Sequence, residues 1–127
     1  MSVNEQNLMK AATGYLAGKV VLITGANHGI GAATAKALAT QNSSVFVTYH
    51  RDVCRYSEGE LQEAKEAGTG GDVLYRAMQQ QQSTDSLVRY IHDQGGTAVA
   101  HEADLANADN IPLLFDLCED KLGSVDI

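Results

Sequence analysis

The run Val20-Val21-Leu22-Ile23-Thr24-Gly25-Ala26-Asn27-His28-Gly29-Ile30-Gly31 limits the architecture of this chain more than any other feature. Four apolar residues in succession predict a strand covered on both faces, as inside a parallel sheet. A glycine-rich turn follows at once, and then an alanine-rich helix through Ala32, Ala33, Ala35, Ala37, Leu38 and Ala39. The glycines have separate tasks in such a unit. Gly25 permits a sharp turn off the strand, Gly29 lets backbone approach a pyrophosphate, and Gly31 lets the helix lie close on the sheet. The free N–H groups and partial positive charge of the helix N-terminus suit a phosphate. With twelve glycines in the chain, a glycine pattern alone is weak; the strand before it and the helix after it give it force.

The remaining periodicity extends the same pattern. Strand one is Val20 to Thr24, and the first helix runs from about Ile30 to Gln41, closed by Asn42-Ser43-Ser44. Val45 to Tyr49 is β-branched and aromatic and predicts strand two. Ser83 to Gln94 predicts a helix with Leu87, Val88 and Ile91 on one stripe and Ser83 or Thr84 as its cap, ahead of strand three at Thr97 to His101. A last helix, Asn110 to Leu122, carries Ile111, Leu114, Phe115 and Cys118 at helical spacing, with Pro112 in its first turn, before a strand begins at Val125. The order β-α-β-α-β implies right-handed crossovers and parallel strands. Residues 1–14 read as a polar arm, and 15–127 as one partial domain. Residues 55–82 fit neither strand nor crossover helix; with little apolar surface they read as an insertion of two weak helices, Ser57 to Ala67 and Asp72 to Gln82, with a flap over a ligand as the functional alternative.

Charge and composition remove several function classes. Sixteen acidic against nine basic side chains give a net charge of −7, which disfavours nucleic acid and anionic membranes as partners. No stretch approaches the roughly 18 apolar residues of a membrane span, and a cytoplasmic protein is expected. Cys54 and Cys118 have no metal-ligand spacing, so no metal site is expected; Cys118, on an apolar helix face, reads as core.

At Thr24 to Gly31 the sequence resembles the short-chain dehydrogenase/reductase family, whose signature T-G-x-x-x-G-[IL]-G is matched at every fixed position. The resemblance runs over about residues 17–127, is nearest to 3-oxoacyl-carrier-protein reductase-like members, and includes Leu122-Gly123-Ser124-Val125-Asp126-Ile127, similar to the family's lead into its fourth strand. It implies an α/β, Rossmann-type parallel sheet with helices on both faces, in strand order 3-2-1-4, of which this chain is the first half with the fourth strand cut short. It also implies cofactor contacts from Gly25, Asn27, His28, Gly29, Ile30, Gly31, Tyr49, His50, Arg51, Asp104 and Leu105, the last two flanking the adenine. Asp104 has a second reading, as cap of the following helix.

Cofactor choice turns on the end of strand two. An acid there would accept hydrogen bonds from the ribose 2′-hydroxyl. Tyr49-His50-Arg51 has none before Asp52, and a guanidinium there favours the 2′-phosphate of NADP(H) over NAD(H). His28 resembles a family position that carries a second basic residue near that phosphate, and reads equally as a loop histidine.

The function implied is hydride transfer between NADP(H) and a small carbonyl or alcohol substrate in the full-length enzyme; the family commonly forms homo-oligomers through its second half, so these residues give no basis for predicting that assembly. The family's N-N-A-G turn, catalytic serine and Y-x-x-x-K helix do not follow here. A single Y-x-x-x-K string, Tyr15 to Lys19, precedes strand one and contains a glycine, so it lies at the wrong end of that strand. No catalytic residue is nominated, these 127 residues alone are expected to be inactive, and the simplest account is that they belong to a longer enzyme. The alternative is a non-catalytic NADP(H)-binding module or inactive fragment. A methyltransferase is a distant third, since that class usually wants an acid after strand two.

Overall fold

The computed structural model describes residues 14–51, 55–68 and 71–127. Three strands, β1 (Val20–Ile23), β2 (Ser44–Tyr49) and β3 (Thr97–Glu102), lie in the spatial order β1-β2-β3 with every pairing parallel. Among the described residues four helices lie between them, α1 (Gly29–Thr40), α2 (Glu58–Ala67), α3 (Gly71–Gln80) and α4 (Asp85–Asp93), and a fifth, α5 (Asn110–Lys121), follows β3. The expected arm, apart from Gly14, lies outside the described residues, as do Asp52 and Cys54.

Alternation along the strands feeds two cores. Val21, Ile23, Val45, Val47 and Ala98 point to one face, where they meet Ala35 and Ala39 of α1 and Leu87 and Ile91 of α4. Val20 and Phe46 point to the other, against Leu114 and Cys118 of α5. That two-sided cover is why β1 and the middle of β2 are apolar without interruption, each buried large side chain contributing about 1.5–3 kcal/mol. The alanines of α1 let its axis approach the sheet.

On the free side of β1 a fourth strand position is begun. Ile127 N–H donates to the Val20 carbonyl (3.2 Å) and the Ile127 carbonyl accepts from Leu22 N–H (2.9 Å), the two slanted bonds of a parallel pair around Val21. The Asp126 carboxylate accepts from Val20 N–H at 2.8 Å, so the first amide of β1 is satisfied by a side chain. Residues 125–127 thereby extend the order to 3-2-1-4 without forming a strand of their own.

One expectation needs correction and one is narrowed to Ser83. The buried stripe of α5 runs through Leu114, Leu117 and Cys118, so Ile111 and Phe115 remain 44% and 43% exposed. Leu117 is the residue that the i, i+3, i+4 rule selects once Leu114 faces the sheet. Thr84 occupies the position before α4, yet its buried hydroxyl bonds no amide there; the Ser83 hydroxyl accepts from Asp85 N–H at 3.3 Å instead.

Residues 55–82 form both helices. Ser57 and Glu60 make a reciprocal capping box that starts α2, and Gly68 ends it in the left-handed region (φ 67°). No residue of α2 is buried. Among the described residues no helix is long and apolar enough to cross a membrane, and no cluster of His, Cys, Asp and Glu could hold a metal.

Candidate cofactor-binding site

The turn between β1 and α1 sits at the carboxyl ends of the strands, where open α/β sheets bind ligands. Ala26 N–H donates to the Thr48 carbonyl at 3.1 Å, tying the turn to β2. Gly25 (φ 63°) and Gly29 (φ 56°) both lie in the left-handed region. Gly31 is required for space. A Cβ there would run into the Gly25 carbonyl oxygen and stand only 2.8 Å from its carbon, so the helix starts in backbone contact with the turn.

The N-terminus of α1 is open to a ligand. His28 stands at the N-cap in extended conformation (φ −159°) and makes no side-chain cap; its Nδ1 lies 3.0 Å from Asn27 Oδ1. The first turn carries no acidic residue. Its amides therefore keep their donors and their partial positive charge, as a pyrophosphate requires. Ile30 presents an apolar side chain, 87% exposed, at the same mouth.

Asn27 has a different part from any the motif suggests. It is 8% exposed, and its Nδ2 donates to the carbonyls of Gln80 (3.3 Å) and Gln82 (2.9 Å). The end of α3 is thus fastened to the glycine turn.

A crevice of about 360 Å³ opens beside the turn. Of the residues expected from the sequence it gathers Gly25, Asn27, His28, Tyr49, His50, Asp104 and Leu105; Gly29, Ile30 and Gly31 stand at the α1 mouth, and Arg51 stands outside its wall. It also includes Thr48, Gln80, Ala103 and Ala106, which sequence reasoning missed. Thr48 and Ala103 adjoin strand ends and could have been found by strand register, whereas nothing local marks Gln80. Asp104 does not cap α5, whose N-cap position is Asp109. Its Oδ1 accepts from Ala106 N–H (2.9 Å), its carbonyl accepts from Asn110 Nδ2 (2.9 Å), and its Oδ2 faces His50 Nε2 at 3.9 Å. Leu105, 40% exposed, offers an apolar face suited to a ring.

The end of β2 carries no acid of its own before Asp52, but the neighbouring strand β3 supplies one. The register pairs Tyr49 with Glu102, and that carboxylate reaches Arg51: Nε to Oε2 is 2.6 Å and Nη2 to Oε1 is 3.3 Å. The hydrogen bond from Arg51 holds the Glu102 carboxyl below the usual glutamate range, and the same bond raises Arg51. Tyr15 is 98% exposed in a turn at the opposite end of β1, so the Tyr15 to Lys19 string has no access to the crevice.

A family model described as short chain dehydrogenase matches residues 19–91, from the start of β1 into α4. The chain belongs to the short-chain dehydrogenase family. It is 31% identical over 112 residues to a 3-oxoacyl-[acyl-carrier-protein] reductase from Synechocystis sp., covering 88% of this chain and 34% of that protein. To an uncharacterised oxidoreductase from Mycobacterium bovis it is 32% identical over 127 aligned positions, covering 96% of this chain and 30% of that protein. A dehydrogenase/reductase structure from Sinorhizobium meliloti superposes with a TM-score of 0.60 at 30% identity, covering 95% of this chain and 36% of that one. This short-chain dehydrogenase sequence therefore spans about a third of the length of the relatives it matches. The family is one of oxidoreductases that bind nicotinamide dinucleotides.

Proposed function

We propose that this chain is the cofactor-binding part of an NADP(H)-dependent oxidoreductase that interconverts a small carbonyl and its alcohol. The observation that carries the reading is the uncapped α1 N-terminus, held against a turn in which Gly31 has no room for a side chain. When bound, the nicotinamide dinucleotide would supply the hydride for carbonyl reduction or accept it in alcohol oxidation. The residues of this chain bind and orient it. The amides at Gly29, Ile30 and Gly31 take the pyrophosphate, Asp104 and Leu105 take the adenine, and Tyr49, His50, Arg51 and His28 surround the ribose and its 2′-phosphate. The name of the Synechocystis relative favours 3-oxoacyl thioesters as the substrate class. A cytoplasmic location and a homo-oligomeric assembly go with this reading, and cell fractionation and light scattering check them.

Residues 1–127 alone bind cofactor without turnover in this account, because the exposed Tyr15 cannot donate a proton in the crevice. That same observation favours the second reading, a non-catalytic NADP(H)-binding module; NADPH oxidation with carbonyl substrates by the longest natural form of the protein separates the two. The cofactor assignment is tested by titrating NADPH and NADH against wild type and Arg51→Ala. NADPH should bind the variant roughly ten- to a hundredfold more weakly, with NADH changed less than twofold. Equal losses for both cofactors refute the NADP(H) assignment.

A further inference from the structure

Arg51 and Glu102 stand at the carboxyl ends of neighbouring parallel strands, brought together by a register that sets Tyr49 opposite Glu102. Their contact is two-pronged, through Nε at 2.6 Å and Nη2 at 3.3 Å. The guanidinium carbon also lies 5.9 Å from the centre of the Tyr49 ring, and Tyr49 lines the crevice. Both side chains are substantially solvent-exposed, at 44% and 37%, so the pair can open without disturbing either core. Among the described residues, the charge of Asp85 also acts on Arg51, and His50 Nε2 faces Asp104 Oδ2 at 3.9 Å across the same rim.

We propose that Glu102 is a specificity-determining residue, an internal anion that competes with a ribose 2′-phosphate for the Arg51 guanidinium. The proposal rests on Arg51 as the 2′-phosphate site. A phosphate and a carboxylate ask for the same planar fork of N–H donors, and two of those donors are already engaged by Glu102. NADP(H) binding then exchanges one anion for another, while NAD(H), lacking the phosphate, leaves the pair closed. Discrimination between the cofactors is therefore smaller than a free arginine would give. The depressed Glu102 carboxyl agrees with this, since the competitor stays ionised throughout the neutral range.

The experiment is a double-mutant cycle in the full chain, reading dissociation constants for NADP⁺ and NAD⁺ in wild type, Glu102→Gln, Arg51→Ala and the double variant. Because an exposed ion pair is weak, Glu102→Gln should raise the preference for NADP⁺ by only about two- to tenfold, and this gain should vanish in the Arg51→Ala background. Melting curves establish that each variant is folded. An unchanged or lower NADP⁺ preference in Glu102→Gln, with Arg51→Ala still selectively weakening NADP⁺, overturns the competition and leaves the cofactor assignment standing. If Arg51→Ala affects both cofactors alike, the 2′-phosphate assignment falls and the competition falls with it.

Discussion

Replacing Gly31 by alanine tests whether the cofactor turn depends on backbone contact. The new Cβ would stand 2.8 Å from the Gly25 carbonyl carbon and 3.0 Å from Ala26 Cα. Carbon atoms pack favourably at about 3.5–4.0 Å, so α1 and the turn must separate by roughly half an ångström or more. No rotamer change relieves this, because the opposing atoms are backbone. Overpacking of this kind costs about 3 kcal/mol, and the better helix propensity of alanine returns at most about 1 kcal/mol. A net loss of about 2 kcal/mol corresponds to a melting temperature lower by roughly 6–10 °C for a chain of this size. The amides of the first turn move with the helix, so NADPH should bind about tenfold or more weakly. Circular dichroism melts and NADPH fluorescence titrations measure the two effects. Gly59→Ala is the control: Gly59 lies within α2 with nothing nearer its Cβ position than the Ser57 hydroxyl at 3.9 Å, and alanine there should stabilise by about 0.5–1 kcal/mol. Gly31→Ala melting at or above wild type, with NADPH affinity within twofold, refutes the reasoning.

Asn27→Ala removes both side-chain bonds to the Gln80 and Gln82 carbonyls and should cost about 1–3 kcal/mol, read as faster amide hydrogen exchange through α3 with β2 left slow. Burial first, and the charge of Glu119 second, push the Cys118 thiol above its ordinary value. Cys118 should stay unreactive to a disulfide reagent at pH 8 until urea unfolds the chain; rapid labelling of the native form would contradict its burial. The Glu102 carboxyl should titrate by carbon-13 NMR below ordinary glutamates and move up toward them in Arg51→Ala. Its folded value is depressed, so the pair's small contribution to stability is present above the unfolded glutamate value and is lost as pH falls through the folded one.

Features set by neighbouring residues could be read from the sequence. β1, the positive-φ glycines and the start of α2 at Ser57-x-x-Glu60 all follow from short patterns with a local cause. The two-sided burial of β1 follows from an unbroken apolar run, because only a strand covered on both faces tolerates one. The partners that shape the crevice do not follow so directly. Glu102 lies 51 residues beyond Arg51 and Gln82 lies 55 beyond Asn27, and neither pairing exists until the register and the path of α3 are set. A charge at the end of one strand says nothing about which charge the next parallel strand delivers beside it. The stripe of α5 was misassigned for a similar reason: Ile111 and Phe115 are as apolar as Leu117, and only the rotation that seats Leu114 under Phe46 decides between them.

The amide of Asn27 places two distant stretches of chain under one constraint. Its donors hold the Gln80 and Gln82 carbonyls at the end of α3, while its own backbone forms part of the glycine turn between β1 and α1. Order in either therefore reduces the entropy left to be lost in the other. Thermodynamic linkage makes any such coupling reciprocal: whatever free energy a fastened α3 lends to cofactor binding, bound cofactor returns in full to α3. Substitutions on the outer face of α3, away from the glycine turn, are thereby expected to tune cofactor affinity without altering that turn.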